Sequence, residues 1–232
     1  YTPPSSPYSD GVRYVVVAKA ADSATNEQTA FGVGTSSNSF IYDTRKPNSM
    51  VQGPSQGQLI ASLPTISGTA SGAALLTPLS GVFLSLGQIT GATTDYFDGA
   101  LFQAATEYFN PAVFVGMASG TWSFATLPSM FTSGKYYILR SKAADQGGVE
   151  ENFAVVVSTM FLFDSTKSTG AVTLLAGASP ALPYHKTINP VVGSAFDGPI
   201  GAASGLEARA SGGAQGRIFD NGLGLWWNKG GG

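Results

Sequence analysis

The chain resembles itself at a nearly constant spacing. Tyr14 and Asp22 recur after 123 positions as Tyr137 and Asp145, and Asp43 recurs after 121 positions as Asp164. Such a period indicates tandem units, and it restricts the fold more than any single motif does. The blocks are Asp10-Gly11-Val12-Arg13-Tyr14, Lys19-Ala20-Ala21-Asp22 and Ile41-Tyr42-Asp43-Thr44-Arg45-Lys46-Pro47, which recur as Ser133-Gly134-Lys135-Tyr136-Tyr137, Lys142-Ala143-Ala144-Asp145 and Leu162-Phe163-Asp164-Ser165-Thr166-Lys167.

The composition favours many short strands joined by turns. Charged residues make up only 11% of the chain, far below the usual quarter, whereas there are 30 Gly and 13 Pro. Helix surfaces are typically rich in Glu, Lys and Arg, and this chain has few of them. The 14 Phe, 9 Tyr and 3 Trp are enough to build apolar cores, which argues against a disordered chain. We therefore expect an all-β fold.

Alternating apolar and polar residues predict several strands separated by turn signals. The strongest is 136–144, in which Tyr137, Leu139, Ser141 and Ala143 share one face. The number and spacing of the strands are typical of a β-sandwich. The predicted strand segments are 64–72, 81–86, 96–102 with a turn at Asp98-Gly99, 120–125, 136–144 and 153–163.

The repeat register predicts how the chain is organised. We assign residues 1–43 to the C-terminal part of repeat 1, residues 44–164 to a complete repeat 2, and residues 165–232 to the N-terminal part of repeat 3. The register aligns one face of the segment around Tyr14 with the face around Tyr137, so we expect the same face to be buried in both. That aligned face carries Tyr14, Val16, Ala18 and Ala20.

The two partial repeats are roughly complementary. One hypothesis is that residues near 165–232 of one subunit are completed by residues near 1–43 of the next, which would give a head-to-tail filament. The alternative is that the sequence is an excerpt of a longer polypeptide.

The order of these motifs resembles the bacterial Ig-like domain family of tandem-repeat surface proteins. That family commonly shows D-G-x-Y, then A-x-D-x-A-G-N, then Y/F-D-T-T-x-P. The chain departs from the pattern at Gly148, where the family usually has Asn, and at Ser168, where the earlier block has Pro47. The resemblance implies tandem Ig-like β-sandwiches, one complete and two partial, in an extracellular or cell-surface protein. It implies no enzymatic activity.

One segment matches the G-x-S-x-G motif of hydrolases, namely Gly53-Pro54-Ser55-Gln56-Gly57. That motif needs a strand before the serine, a helix after it, and a histidine and an acid nearby. No helical pattern follows Ser55, and His185 is the single histidine in the sequence. We expect a loop here and no catalytic residue.

Two turns carry carboxylates that could bind calcium. Asp22 and Asn26 lie in one turn, and Asp145 and Glu150 lie in the equivalent turn. Calcium takes about six to eight oxygen ligands, more than either turn supplies. The alternative is that each aspartate accepts hydrogen bonds from backbone N–H groups within its turn. We expect no other cofactor.

The net charge of −2 gives no basic face, so we do not expect a nucleic-acid partner. No apolar run approaches the roughly 20 residues that span a bilayer, so we do not expect membrane insertion. Adjacent side chains of a strand point to opposite faces, so one of Trp226 and Trp227 should be exposed. With Tyr136 and Tyr8, these residues are interface candidates for other copies or neighbouring repeats, and glycan binding is the alternative.

We expect a non-enzymatic structural repeat protein of an extracellular or cell-surface fibre or filament. One alternative is an adhesion module that binds a glycan or a host surface. Another is an accessory module of a larger secreted enzyme.

Overall fold

The computed structural model describes residues 8–72, 77–151, 157–175, 191–196, 219–220 and 225–226. These residues form strands and turns and contain no helix, which confirms the expected all-β class. The strands are β1 (Val12–Val17), β2 (Ser37–Tyr42), β3 (Asn48–Gly53), β4 (Gln58–Ile60), β5 (Thr65–Ser71), β6 (Leu79–Thr90), β7 (Thr93–Phe97), β8 (Phe102–Ala104), β9 (Asn110–Gly116), β10 (Ser119–Ala125), β11 (Lys135–Asp145), β12 (Thr159–Phe163), β13 (Thr169–Leu175), β14 (Val191–Phe196), β15 (Phe219–Asp220) and β16 (Leu225–Trp226).

The chain divides into two compact units. The first comprises Tyr1–Gln58, Ser62–Phe131 and Tyr136–Phe161, and the second comprises Leu59–Ala61, Thr132–Lys135 and Leu162–Gly232. One sheet has the strand order β3-β5-β10-β9-β6-β11-β12-β4, with β7 paired to β6 and β8 paired to β7. Three separate two-stranded sheets are formed by β1 with β2, β13 with β14, and β15 with β16.

The core of the first unit lies on one face of β11. Its side chains alternate because successive residues of a strand point to opposite faces. The predicted face is confirmed, with each of its members at most 1% exposed. These members are Tyr137, Leu139, Ser141 and Ala143.

A tryptophan on β10 packs against the backbone of the neighbouring strand. Trp122 is 1% exposed, and its indole N–H donates to the carbonyl of Thr69 at 3.1 Å. The space for this ring comes from Gly68, since a Cβ there would lie 1.9 Å from the carbonyl oxygen of Met50 and 2.5 Å from the Trp122 ring. Gly68 therefore fixes both the β3–β5 spacing and the position of the ring.

Most of the predicted strands are observed, with different lengths. The segments 64–72, 81–86, 96–102 and 120–125 correspond to β5, β6, the β7–β8 pair and β10. The last predicted strand is observed from Thr159, and residues 152–156 lie outside the described part of the chain. The β6–β7 hairpin was not predicted, and its loop is Gly91-Ala92 with a φ of 61° at Gly91. Such two-residue loops favour glycine because φ is positive there.

Candidate interface on the N-terminal strand pair

Two strand pairs of this protein carry the same aromatic cluster. We call β1 with β2 the N-terminal strand pair, and β11 with β12 the central strand pair. In the first, the rings of Tyr8 and Tyr14 meet edge to face at 4.9 Å between centroids. The Tyr14 and Phe40 rings stack at 5.7 Å, and Tyr8 meets Phe40 edge to face at 5.4 Å.

The central strand pair repeats this cluster in its geometry as well as its spacing. Phe131 and Tyr137 meet edge to face at 5.0 Å, and Tyr137 stacks on Phe161 at 5.4 Å. Phe131 and Phe161 complete the triad edge to face at 5.8 Å. Each ring of one triad thus has a counterpart with the same contact in the other.

The turn that follows β1 also recurs after β11. The N–H of Asp22 donates to the carbonyl of Asn26 at 3.0 Å, and the N–H of Asn26 donates to Asp22 Oδ1 at 2.8 Å. In the second turn the N–H of Asp145 donates to the carbonyl of Val149 at 3.1 Å, and the N–H of Val149 donates to Asp145 Oδ1 at 2.8 Å. Both pairs of hydrogen bonds close the same five-residue turn.

The backbone conformation of the two turns agrees too. Thr25 has a φ of 72° and Gly148 has a φ of 82°, both in the left-handed region. That region suits glycine and costs a threonine energy. The N-terminal turn therefore keeps its shape with a residue that is poorly suited to it.

The two strand pairs differ in what covers them. Leu139 is 0% exposed and Phe161 is 1% exposed, whereas their counterparts Val16 and Phe40 are 55% and 37% exposed. The prediction that the same face is buried in both pairs is therefore wrong for β1. The edges differ as well, because β11 pairs with both β6 and β12, whereas in the described part of the chain β1 pairs only with β2.

A buried polar cluster joins β3 to β11 beside the central strand pair. The N–H and Oγ of Ser49 donate to the Glu151 carboxylate at 2.9 Å and 2.6 Å. The Ser49 hydroxyl also lies 2.9 Å from the hydroxyl of Ser141. The N–H of Ala143 donates to the same carboxylate at 3.0 Å. Glu151 is thus held by a strand on each side.

The N-terminal strand pair has neutral residues at the equivalent positions. Ala18 stands where Ser141 stands, and Gln28 stands where Glu151 stands. The N–H of Ala20 donates to Gln28 Oε1 at 3.4 Å, which matches the bond from Ala143 to Glu151. The local contact is kept, but the hydroxyl and the negative charge are gone.

A third strand pair, β13 with β14, has the register of β3 with β5. Its ladder shifts between Val172 and Leu174, and the β3–β5 ladder shifts between Val51 and Gly53, which stand 121 positions earlier. A Cβ added to Gly193 would lie 2.5 Å from the carbonyl oxygen of Ala171, as one on Gly68 would meet Met50. We call β13 with β14 the C-terminal strand pair. It places Gly170 at the position of Ser49.

The G-x-S-x-G segment does not have the geometry of a nucleophile elbow. Gly53 ends β3 and the next element is the strand β4, which begins at Gln58. The N–H of Ser55 donates to Gln58 Oε1 at 2.9 Å, so the segment is a tight turn between two strands. His185 lies outside the described residues.

The calcium candidates lie in the two matching turns. The Asp22 carboxylate accepts bonds from the Asn26 side-chain amide at 2.8 Å and from the N–H groups of Asn26 and Ala24. These bonds, the Asn26 side chain first, lower the pKa of Asp22. Glu150 forms an ion pair with Lys142 at 3.0 Å. No group of three His, Cys, Asp or Glu side chains that could hold a metal ion occurs among the described residues.

The predicted interface aromatics lie in different environments. Tyr8 belongs to the N-terminal aromatic triad, and Tyr136 is 47% exposed on β11. Trp226 lies in β16, whereas Trp227 lies outside the described residues. The residues that distinguish the two strand pairs, Val16 and Gln28, were not predicted as interface residues. Comparing each repeated position for charge and size would have indicated Gln28.

No protein-family model matches the chain, and no curated protein matches it. The described part of the chain contains no helix long and apolar enough to cross a bilayer.

Proposed function

We propose that this protein is a non-enzymatic structural repeat protein of an extracellular or cell-surface fibre, built from Ig-like β-sandwich units. The aromatic triad and the hydrogen-bonded turn, which recur 121 to 123 positions apart, support the repeat. The observation that carries the proposal is the contrast between Leu139, which is 0% exposed, and Val16, which is 55% exposed at the equivalent position.

The N-terminal strand pair has two properties of a surface that accepts a partner. We call its side chains Tyr14, Val16 and Phe40, with the edge of β1 that no described strand pairs, the acceptor face. An open strand edge offers unpaired N–H and C=O groups to another strand. Clustered exposed apolar side chains mark contact sites, and burying one valine completely stabilises by about 1.5–3 kcal/mol. A sheet that covers the acceptor face therefore gains both ladder hydrogen bonds and apolar burial.

The described carboxylates support a structural role. Asp10 accepts bonds from the hydroxyl and N–H of Thr44, which lower its pKa. Asp98 accepts bonds from the N–H of Leu101 and from the side chain of Gln103, which lower its pKa in the same way. Each of these groups stabilises a turn or a strand connection and stays ionised at neutral pH.

A second candidate function is adhesion, and a different surface favours it. On the outer face of the large sheet, Met50 lies opposite Thr69, Thr69 opposite Thr121, and Thr121 opposite Val115. Met50 and Val115 are 58% and 69% exposed. Such a row across four strands could rest on a flat glycan or a host surface. Binding of the whole chain to a glycan array would favour adhesion over the fibre.

Sedimentation velocity of the full chain across a concentration series tests the proposed function. We expect the protein to form larger species as concentration rises and Val16→Glu to abolish them. The matched control is Val15→Glu, since Val15 is 65% exposed and points to the opposite face of β1. Val16→Glu chains that assemble like the parent would contradict the proposal. Negative-stain images should show whether the larger species extend along an axis.

A further inference from the structure

We infer that the acceptor face is covered by the C-terminal strand pair of a second copy of this chain, with β13 placed as β3 is placed against β11. The inference rests on the proposed function and adds the partner segment and the direction of assembly.

The first support is the likeness between the C-terminal strand pair and β3–β5. Both ladders shift at the same repeated position, and both need a glycine where the strands approach closely. In the first unit, β3 lies against β11 through the bonds from Ser49 to Ser141 and Glu151. A strand shaped like β3 is therefore the natural occupant of a face shaped like that of β11.

The second support is the set of residues that would meet in such a contact. Around the central strand pair these are Ser49, Ser141 and Glu151, whose hydroxyls and carboxylate satisfy one another. The equivalent residues of the proposed contact are Gly170, Ala18 and Gln28. A buried hydroxyl or carboxylate without a partner is costly. Both hydroxyls and the negative charge are absent together, although the residues lie in distant parts of the sequence.

The replaced set still allows one hydrogen bond. The N–H of Ser49 donates to Glu151, and the N–H of Gly170 would donate to the amide oxygen of Gln28 in the same way. This bond would join two neutral groups. Unlike the Glu151 carboxylate, the Gln28 amide therefore needs no additional donors to offset a buried negative charge. The acceptor face is thus better matched to β13 than to a strand that carries a serine.

The contact has a direction. The acceptor face lies on the N-terminal strand pair and the occupant on the C-terminal strand pair, so each chain has one of each. Contacts between two different surfaces of identical chains generate open chains of subunits unless the rotation closes. This is the geometry that a fibre requires.

Gly170 can be changed without disturbing its own strand pair. Among the described residues, a Cβ on Gly170 would meet the carbonyl oxygen of Ser194 alone, at the ordinary distance of 3.8 Å. Its neighbour Ala171 is exposed and points to the opposite face of β13, so it provides a matched control position.

The decisive experiment mixes two variants of the full chain. Gly170→Glu blocks the occupant and leaves the acceptor face intact, whereas Val16→Glu does the reverse. We expect each variant alone to lose self-association by roughly a hundredfold or more, because an unpaired charge is buried at the contact. Mixed together, they should form a one-to-one dimer that grows no further. Ala171→Glu should assemble like the parent.

The outcomes separate this inference from the proposed function. Loss of assembly in Val16→Glu but not in Gly170→Glu would overturn the inference and leave the proposed function standing. Variants that stay monomeric when mixed would also overturn it, as would a parent chain that stays monomeric. Assembly of Val16→Glu alone would contradict the proposed function itself.

A second set of variants guards against a local folding defect in Gly170→Glu. Gln28→Glu places a carboxylate in the contact without a serine partner, and we expect it to weaken self-association about tenfold. Adding Ala18→Ser and Gly170→Ser recreates the Ser49–Ser141–Glu151 set and should restore association. Failure of that rescue, with a normal circular dichroism spectrum, would count against the predicted contact.

Discussion

The N-terminal and central strand pairs share their local structure and differ in their surroundings. Each has a stacked and edge-on aromatic triad and a turn closed by an aspartate. The face of the central pair is covered, and β6 pairs with the edge of β11, whereas Val16 on the N-terminal pair is 55% exposed. The local motif therefore specifies the strand pair, and the neighbouring strands decide whether its apolar face is buried.

The pairs also differ in the side chains at the positions that contact β3 in the central pair. The central pair offers a hydroxyl and a carboxylate to Ser49 of β3, and the N-terminal pair offers Ala18 and Gln28. The two pairs therefore share a turn and an aromatic triad but present different side chains at these positions.

Truncating a side chain on the equivalent face of each strand pair should give the largest difference in the free energy of unfolding. Leu139→Ala should lower the free energy of unfolding by about 2–5 kcal/mol, because it leaves a cavity in a packed core. Val16→Ala should lower it by less than about 1 kcal/mol in the monomer, because Val16 is 55% exposed. Urea unfolding followed by circular dichroism measures both. Similar losses for the two variants would remove the distinction in burial.

Substitutions at the polar cluster should give the next largest difference in the free energy of unfolding. Glu151→Gln should cost about 1–3 kcal/mol, because the carboxylate accepts bonds from Ser49 and Ala143 in a partly buried site. Glu150→Gln is the control, since its ion pair with Lys142 is exposed and contributes at most about 1 kcal/mol. The same urea measurement applies, and a larger loss for Glu150→Gln would contradict the assignment of Glu151.

Substitutions at the left-handed positions of the two turns should change the stability of the protein in opposite directions. Gly148→Ala should destabilise by about 1–2 kcal/mol, because alanine is disfavoured at a φ of 82°. Thr25→Gly should stabilise the N-terminal turn by several tenths of a kcal/mol, since relief of strain exceeds the entropy that glycine loses. Thermal unfolding should show opposite shifts. Destabilisation by Thr25→Gly would mean that the relief of strain is smaller than the entropy that glycine loses.

The smallest predicted effect is a pH dependence of the N-terminal turns. The pKa of Asp22 and of Asp10 is lowered by hydrogen bonds in the folded state, chiefly from Asn26 and Thr44. Their contribution is therefore present above the unfolded pKa of about 3.9 and is lost as pH falls through the lower folded values. Carboxylate chemical shifts against pH should give a midpoint below about 3.9 for Asp22. A midpoint at or above that of an unfolded peptide would contradict the assignment.

The strands with regular alternation could be predicted from the sequence. The face of β11 was predicted correctly because apolar or small residues occupy every second position of the nine-residue segment 136–144. The strand β9 was missed because Pro111 lies within it, and proline is normally placed at strand edges or bulges. In the structure Pro111 lies opposite Phe83 on β6.

The acceptor face could not be predicted from the repeat alone. Tyr14, Val16 and Phe40 have the pattern of a buried face because they occupy the positions equivalent to Tyr137, Leu139 and Phe161. Their exposure depends on which other strands pack against them, and that is tertiary information. The change from Glu151 to Gln28 was visible in the sequence, but its meaning needed the contact with Ser49.

Hydrogen exchange of the β1 amides, measured across a concentration series of the full chain, tests whether a second copy covers the N-terminal strand pair. We expect protection of residues 12–17 to rise as the chain self-associates and Gly170→Glu to remove the rise, because that variant would leave this strand pair uncovered. Self-association with unchanged exchange in residues 12–17 would contradict this expectation.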